Sequence, residues 1–381
     1  MVPRKIVIVE DDAVVRQLLT YHVQNLGHEV LASFGSGQEV VEYFKSHNAD
    51  LILMDIRLED SIDGIEAMRQ IQEVSSVPVV YISGESGEGH LKRAINTNMK
   101  GFLSKPVSSI ELEDAIDSLT ELTESILYAE RIQKAIFPER KDFDGVFGDY
   151  VYLNRPRNII SGDFAFLEVS EDEQQILGGV GDCTGHGIPA ALLSVLSHEI
   201  VTSLCKRNTE LNKILYLLNR RMIVNLSRGA NENQVNDGLD ISIFRLIPSQ
   251  GMLEVSGFRR PFLHFESETG EVKVYSFRGH GIGSEIESES EIPVMQFHYA
   301  PNDFFFFFSD GVTDQFGGPK SKKLSKRGLG EILSEICKKS GTPSSRNIAL
   351  DLALRKWQGQ VEQTDDMILF GIKPATCKKQ N

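Results

Sequence analysis

Residues 304–318 read FFFFFSDGVTDQFGG, five consecutive phenylalanines running into a Ser-Asp-Gly turn. Phe304 to Phe308 lack the alternation of a half-exposed strand, so an extended run here needs cover on both faces, as between two layers. Left on an open edge, so apolar and uncharged a segment would template aggregation, and Asn302-Asp303 before it and Ser309-Asp310 after it act as polar gatekeepers. The strand therefore ends near solvent on a carboxylate. Taken alone, Asp310-Gly311 reads as an ordinary strand-ending turn. Other acids elsewhere in the chain give it a second meaning.

At 381 residues the chain exceeds one ordinary core and predicts two or three domains. Hydrophobic residues at 41% and charged residues at 25% are those of globular domains. A formal charge of −14 argues against a nucleic-acid partner, which requires a basic surface. No basic helix-turn-helix segment supports a DNA-binding regulator. Cys183, Cys205, Cys337 and Cys377 form no C-x-x-C pair, which suits a reducing compartment and suggests neither disulfides nor a thiolate zinc site. No signal peptide opens the chain and no apolar stretch approaches the ~20 residues of a membrane helix. The expectation is a cytoplasmic protein that neither binds nor spans a membrane.

From Ile6 the sequence reads IVIVEDD, an apolar strand ending in acids, followed by the amphipathic AVVRQLLTYHVQNLGH. The beat returns as LILMDIRL around Asp55, VPVVYISG around Ser83 and GFLSKP around Lys105. Strand-helix alternation predicts an α/β doubly wound parallel sheet, whose site lies beyond the carboxyl ends of the strands. Glu10, Asp11, Asp55, Ser83 and Lys105 converge there. Three carboxylates suit a hard ion such as Mg²⁺. A carboxylate can also accept a phosphoryl group, its added charge compensated by a lysine and a hydroxyl.

Residues 1–120 thereby resemble a response-regulator receiver domain of the CheY type. The resemblance implies that Asp55 is the phospho-acceptor, that Glu10, Asp11 and Asp55 hold Mg²⁺, and that Ser83, Phe102 and Lys105 form the switch. It also implies a sensor histidine kinase as partner. The loop LEDSIDG, Leu58 to Gly64, is more acidic than the family's usual Met-Pro-Gly type, which predicts altered kinetics or partner choice.

Residues 121–140 read as a helical coiled-coil linker between the domains, because the stretch SSIELEDAIDSLTELTESILYAERIQKAIFP, Ser108 to Pro138, is free of Gly and Pro up to Pro138 and reads as one long helix. Every seventh residue gives Leu112, Leu119, Ile126 and Gln133, and the alternate seam gives Ala115, Leu122, Ala129 and Ile136. This heptad pattern predicts a parallel coiled-coil homodimer, with Gln133 setting the register; the competing reading is a helix packed on its own domain.

Residues 141–375 change to short strands and turns with two longer helices. Acids stand at Asp163 in IISGDFAFLEV, at Asp182 in GGVGDCTGHGIPAALLSVLSHEIV, at Asp310, and at Asp365 and Asp366 in QTDDMILFGIK. Each abuts strand-like residues and a small or turn residue, so a packed sandwich can gather them at one edge. With no Arg or Lys beside them in sequence and no His/Cys cluster, the expectation is neutralisation by two Mg²⁺ or Mn²⁺ ions, which can clamp a phosphate ester for attack by activated water.

The order of IQKAIFP, SGDF, GDCTGHGIPAALLS, SDGVTDQFGG and DDM makes residues 125–373 similar to the SpoIIE-like branch of the PPM metal-dependent serine/threonine phosphatases. The resemblance implies an α+β four-layer fold with two central antiparallel sheets. It implies that Asp163, Asp182, Asp310 and Asp365 are the catalytic metal acids, with a Cys183 carbonyl and, alternatively, Asp366 in the ligand set. A phosphorylated anti-sigma antagonist is the implied substrate. Asp237 and Asp240 read as structural or surface acids, and His186 as a loop-packing residue. Arg155 and Arg157 read as solvated or as substrate-phosphate partners, and Ile368 stands where the family often has threonine. The Cys183 thiol has no activating base. The rival to an enzyme is a degenerate phosphatase-fold adaptor that binds a sigma factor or its antagonist. Such an adaptor should lack metal acids, and here all four are present.

Overall fold

The computed structural model describes residues 3–59, 61–84, 93–94, 97–170, 174–185, 187–207, 210–227, 238–277, 281–284 and 286–376, apart from the side chains of residues 118–124. The chain divides into two compact units, Met1–Ser125 and Ile126–Asn381. A helix over Ser109–Ile136 contains the point of division.

In the first unit, strands β1 (Lys5–Val9), β2 (Glu29–Phe34), β3 (Leu51–Asp55), β4 (Val79–Ser83) and β5 (Met99–Ser104) form a parallel sheet in the order β2-β1-β3-β4-β5. The central strands β3 and β4 are buried at every residue, as unalternating apolar runs must be when helices cover both faces. Asp12 ends the β1 loop by capping the helix Ala13–Asn25, its Oδ1 accepting from Val14 N at 2.7 Å and Val15 N at 3.1 Å. Glu10 and Asp55 therefore end neighbouring strands at one edge.

The second unit has β6 (Tyr150–Arg155), β7 (Asp163–Val169), β8 (Ile176–Cys183), β9 (Leu239–Ile247), β10 (Met252–Phe258), β11 (Phe262–Glu266), β12 (Glu271–Tyr275), β13 (Met295–His298), β14 (Phe304–Phe308), a small pair β15 (Phe316–Gly317) and β16 (Lys322–Lys323), and β17 (Met367–Ile372). Two antiparallel sheets result, β13-β10-β9-β8-β7 and β12-β11-β14-β17-β6.

The phenylalanine run, buried throughout, joins them. Phe305 and Phe307 point into the core shared with Val180, Phe244 and Val255 of the facing sheet. Phe304, Phe306 and Phe308 point the other way, onto Leu329, Leu333, Leu350 and Leu354 of the helices Ser325–Lys338 and Pro343–Gln358. On the far side, helices Ile188–Cys205 and Leu211–Ser227 cover Phe164, Phe166 and Ile243. The layers are helix, sheet, sheet, helix. Helix Ile188–Cys205 is apolar and long enough to cross a membrane, with a mean hydropathy of 1.5, but 61% of it is buried in this core.

The heptad reading needs correction at Gln133. Its side chain is buried and bonded within the second unit: Nε2 donates to Ser161 O at 2.8 Å and to Ser194 Oγ at 3.2 Å, and Oε1 accepts from Ser161 N at 3.0 Å. A carboxamide buried in its own domain and bonded there through both its nitrogen and its oxygen is not presented to a second helix to set its register. Leu112 is likewise part of the first unit's core, and Phe137 of the second's. The side chains of Leu119 and Leu122 lie outside the described residues.

Candidate phosphoacceptor and metal sites

In the first unit Lys105, just after β5, bridges two strand ends. Its Nζ lies 2.6 Å from Asp55 Oδ2 and 2.8 Å from Glu10 Oε1. Asp55 Oδ1 accepts from Arg57 N at 3.1 Å, and Asp11 Oδ2 from Glu59 N at 3.2 Å. Ligand atoms of Glu10, Asp11 and Asp55 lie within 4.8 Å of one another. Burial, partly offset by Lys105, pushes the Glu10 carboxyl up to about 7. Its Oε2 is buried with no hydrogen-bond partner, as expected of an oxygen built to meet a cation. Ser83 is buried at the end of β4, and Phe102 is half-buried in β5 opposite Tyr81. Behind Asp55 the chain turns closely enough to require Gly64, where a Cβ would come 2.0 Å from the Asp55 carbonyl. The acidic loop is partly consumed by structure, since Asp63 caps the helix Gly64–Ile71 and pairs with Arg93 at 2.8 Å.

In the second unit the β7–β8 ladder sets Asp163 opposite Asp182, and the β8–β9 ladder sets Asp182 opposite Asp240. Asp310 starts the short helix Asp310–Asp314 and donates its main-chain N–H to Asp182 Oδ2 at 3.4 Å. Asp365 joins them because Gly311 lets that helix lie directly on the Asp365-Asp366 backbone: a Cβ there would meet the Asp366 carbonyl at 1.9 Å. Gly311 thus serves a close approach and is not the pivot of a turn, as the sequence had led us to expect.

Burial first, then Asp182, holds the Asp163 carboxyl well above the usual range, and its Oδ2 is buried without a partner. Burial also lifts Asp182 to about 7, with Asp310 and Asp365 adding to the effect and Arg260 opposing it. Carboxylates crowded this way call for a cation, so the donor set fits divalent metal.

Several sequence expectations change here. The acids are not free of basic neighbours, because Arg260 comes from the β10–β11 connection to sit 2.6 Å from Asp182 Oδ2. Among the described residues the first unit's trio is the group of three or more whose ligand atoms all close to within 4.8 Å, and no three acids of this unit do so. Asp366 spends both oxygens on the main chain, accepting from Arg157 N at 2.6 Å and Gly162 N at 2.7 Å. Arg155 pairs with Asp351 and is not solvated, while Arg157 is exposed. The Cys183 thiol is buried near Ser197, and burial raises it well above its usual range, against nucleophilic use. Ile368 is buried in β17, its N–H donating to Ser309 Oγ at 3.0 Å. Asp240, read as a surface or structural acid, faces Arg260 at 3.4 Å. His186 and Asp237 lie outside the described residues.

A family model described as Stage II sporulation protein E (SpoIIE) matches residues 172–374, just over half of the chain. The chain belongs to the SpoIIE family. Ahead of the SpoIIE domain, residues 6–117 match the response regulator receiver domain. Relatives of that part include the transcriptional regulatory protein PdtaR of Mycobacterium tuberculosis, 34% identical over 116 residues that make up 30% of this chain and 56% of PdtaR. The match thus spans little more than half of that relative. Chemotaxis protein CheY of Bacillus subtilis is 30% identical over 114 residues, 30% of this chain and 94% of CheY. Among solved structures, the SiaA-PP2C domain of Pseudomonas aeruginosa superposes with a TM-score of 0.58 at 22% identity, covering 68% of this chain and 98% of that domain. This likeness shows the PP2C fold. The SpoIIE-family protein is a response regulator with a receiver domain and a phosphatase-type output domain.

Proposed function

We propose that this chain is a metal-dependent phosphoserine/phosphothreonine protein phosphatase controlled by phosphorylation of Asp55. The observation that carries the reading is the gathering of Asp163, Asp182, Asp310 and Asp365, from four separate segments, at one end of the sandwich, with Asp163 Oδ2 buried and unpaired. These four acids and the Cys183 carbonyl would hold two Mn²⁺ or Mg²⁺ ions; when bound, such ions neutralise a phosphate ester and activate water for in-line attack. Asp365 is preferred to Asp366, whose oxygens already serve the Arg157–Gly162 loop. Arg157, exposed and with its N–H on Asp366 Oδ1, is the arginine that would meet a substrate phosphate.

In the receiver, Glu10, Asp11 and Asp55 would hold Mg²⁺, and Asp55 would accept the phosphoryl group from a sensor histidine kinase. Lys105 already contacts Asp55 and Glu10, and is the cation that would follow the new charge. Gln133 ties the connector helix to Ser161, two residues before Asp163, and gives that helix a hold on the catalytic strand. Exposed Leu127, Tyr128, Ile132 and Ile136 on the same helix support the homodimer reading. The substrate we infer is a phosphorylated anti-sigma antagonist in the cytoplasm, consistent with the charge of −14 and against a nucleic-acid role.

The second reading, an adaptor that binds a sigma factor or anti-sigma antagonist without hydrolysis, is favoured by one observation, a guanidinium already set among the acids. Mn²⁺-dependent release of phosphate from a phosphoserine protein supports the enzyme. Retention of an unhydrolysed partner in saturating Mn²⁺ supports the adaptor.

A further inference from the structure

The acidic edge of the SpoIIE domain carries a cation of its own. Arg260 is 5% exposed. Its Nη2 lies 2.6 Å from Asp182 Oδ2 and 3.4 Å from Asp240 Oδ2, and its Nη1 lies 3.6 Å from Asp310 Oδ2. The three acids come from the end of β8, the start of β9 and the helix after β14. The connecting backbone turns through Arg259, whose φ of 55° is left-handed, and Arg259 itself is exposed while Arg260 is buried. Arg260 Nε is also buried and has no acceptor. Its fork therefore meets the acids while one donor goes without, a costly arrangement for a side chain with only a packing role.

Asp182 and Asp310 are two of the four acids assigned to metal, whereas Asp240 is not. A guanidinium keeps its charge at all relevant pH values, so a cation entering beside it meets a fixed like charge and an oxygen already engaged. Asp240, the register partner of Asp182 across the β8–β9 ladder, gives the guanidinium an acid to stay with once Asp182 is released. We propose that Arg260 is a resident counter-ion that competes with divalent metal for Asp182 and Asp310 and so sets the metal concentration at which the phosphatase site fills. This rests on the metal-ligand reading of the preceding subsection. In the metal-free protein the same side chain holds three chain segments together. On metal entry it gives up Asp182 and remains on Asp240.

The test is a calorimetric Mn²⁺ titration of the full chain carrying Asp11→Asn and Asp55→Asn, which silence the receiver acids. This parent is compared with the same protein bearing Arg260→Met, Arg260→Lys or Arg259→Met, each checked for folding by circular dichroism. Arg260→Met is expected to bind Mn²⁺ about tenfold tighter or more. Arg259→Met, which removes an equal charge from an exposed neighbour, should stay within about twofold, because exposed charges are screened. Arg260→Lys keeps the charge but cannot span three acids, so it should shift in the same direction by less; it also serves if the methionine variant does not fold. Without metal, Arg260→Met should melt below the parent, and saturating Mn²⁺ should close that gap. Unchanged or weaker Mn²⁺ binding in folded Arg260 variants would overturn the proposal, as would an equal gain in Arg259→Met. Absence of Mn²⁺ heat in the parent and all variants would instead reject the metal site itself, and the counter-ion role with it.

Discussion

Asp163 and Asp182 face each other across the β7–β8 ladder, the first with a buried, unpaired oxygen and the second against Arg260. Two carboxylates on adjacent strands in a buried setting repel, and that repulsion makes the pair a cation site. In the chain whose receiver acids are silenced by Asp11→Asn and Asp55→Asn, Asp163→Asn should therefore leave metal-free stability unchanged or slightly raised, while abolishing the stabilisation brought by Mn²⁺ and lowering turnover by roughly 100-fold. Thermal melts with and without Mn²⁺, beside a phosphate-release assay, check this.

Gly311 lies against the Asp366 carbonyl so closely that any side chain must move one of the two segments. Gly311→Ala should cost about 1–3 kcal/mol of stability, the usual range for overpacking, and should separate Asp310 from Asp365. A urea titration reads the first effect, and the Mn²⁺ dependence of turnover reads the second. Unaltered stability would show that the close approach is not maintained in solution.

Gln133→Ala should leave the buried Ser161 N–H unsatisfied, while the Ser161 carbonyl keeps the Ser194 hydroxyl at 3.0 Å, and cost about 1–3 kcal/mol. Because Ser161 Oγ also accepts from Asp163 N at 3.0 Å, basal turnover should fall and its response to a phosphodonor should weaken. A variant with normal stability and a full response would exclude Gln133 as the link between connector and site.

His198 is buried between the rings of Phe137 and Phe164, with centroids 5.1 Å and 5.8 Å away, and its Nδ1 has no partner. Burial, helped by Lys206, lowers it to about 4 from an ordinary 6.5. The unfolded chain takes up this proton below pH 6.5, and the folded chain does so only near pH 4, so stability falls as pH drops through that window and is unaffected above it. At pH 4.5 the loss is roughly 2–3 kcal/mol. His198→Phe should flatten this component, seen as a smaller difference between urea midpoints at pH 7.5 and pH 4.5 than in the parent.

Much of this was legible in the residues themselves. An unalternating run such as Phe304–Phe308 has to be covered on both faces, and the structure divides its rings between the inter-sheet core and the helical layer. Asp55 and Lys105 were legible because strand-end residues in an alternating α/β chain converge by topology alone. Arg260 was not. It sits in GFRRP between two strands, and nothing in that spacing says which of two adjacent arginines turns inward; the left-handed backbone at Arg259 decides it. Gln133 misled for a different reason. A polar residue on a helical seam is buried alike against a second helix or against its own domain, and heptad spacing does not distinguish the two. Asp365 and Asp366 are neighbours whose roles separate only when the Arg157–Gly162 loop claims both oxygens of one.

The most direct test is hydrolysis of p-nitrophenyl phosphate by the full chain in Mn²⁺, in EDTA, and in Mn²⁺ with beryllofluoride, run beside Asp55→Asn. The account predicts turnover that requires Mn²⁺ and changes with beryllofluoride in the parent but not in Asp55→Asn. Turnover indifferent to metal, or none on either this ester or a phosphoserine protein, would contradict it.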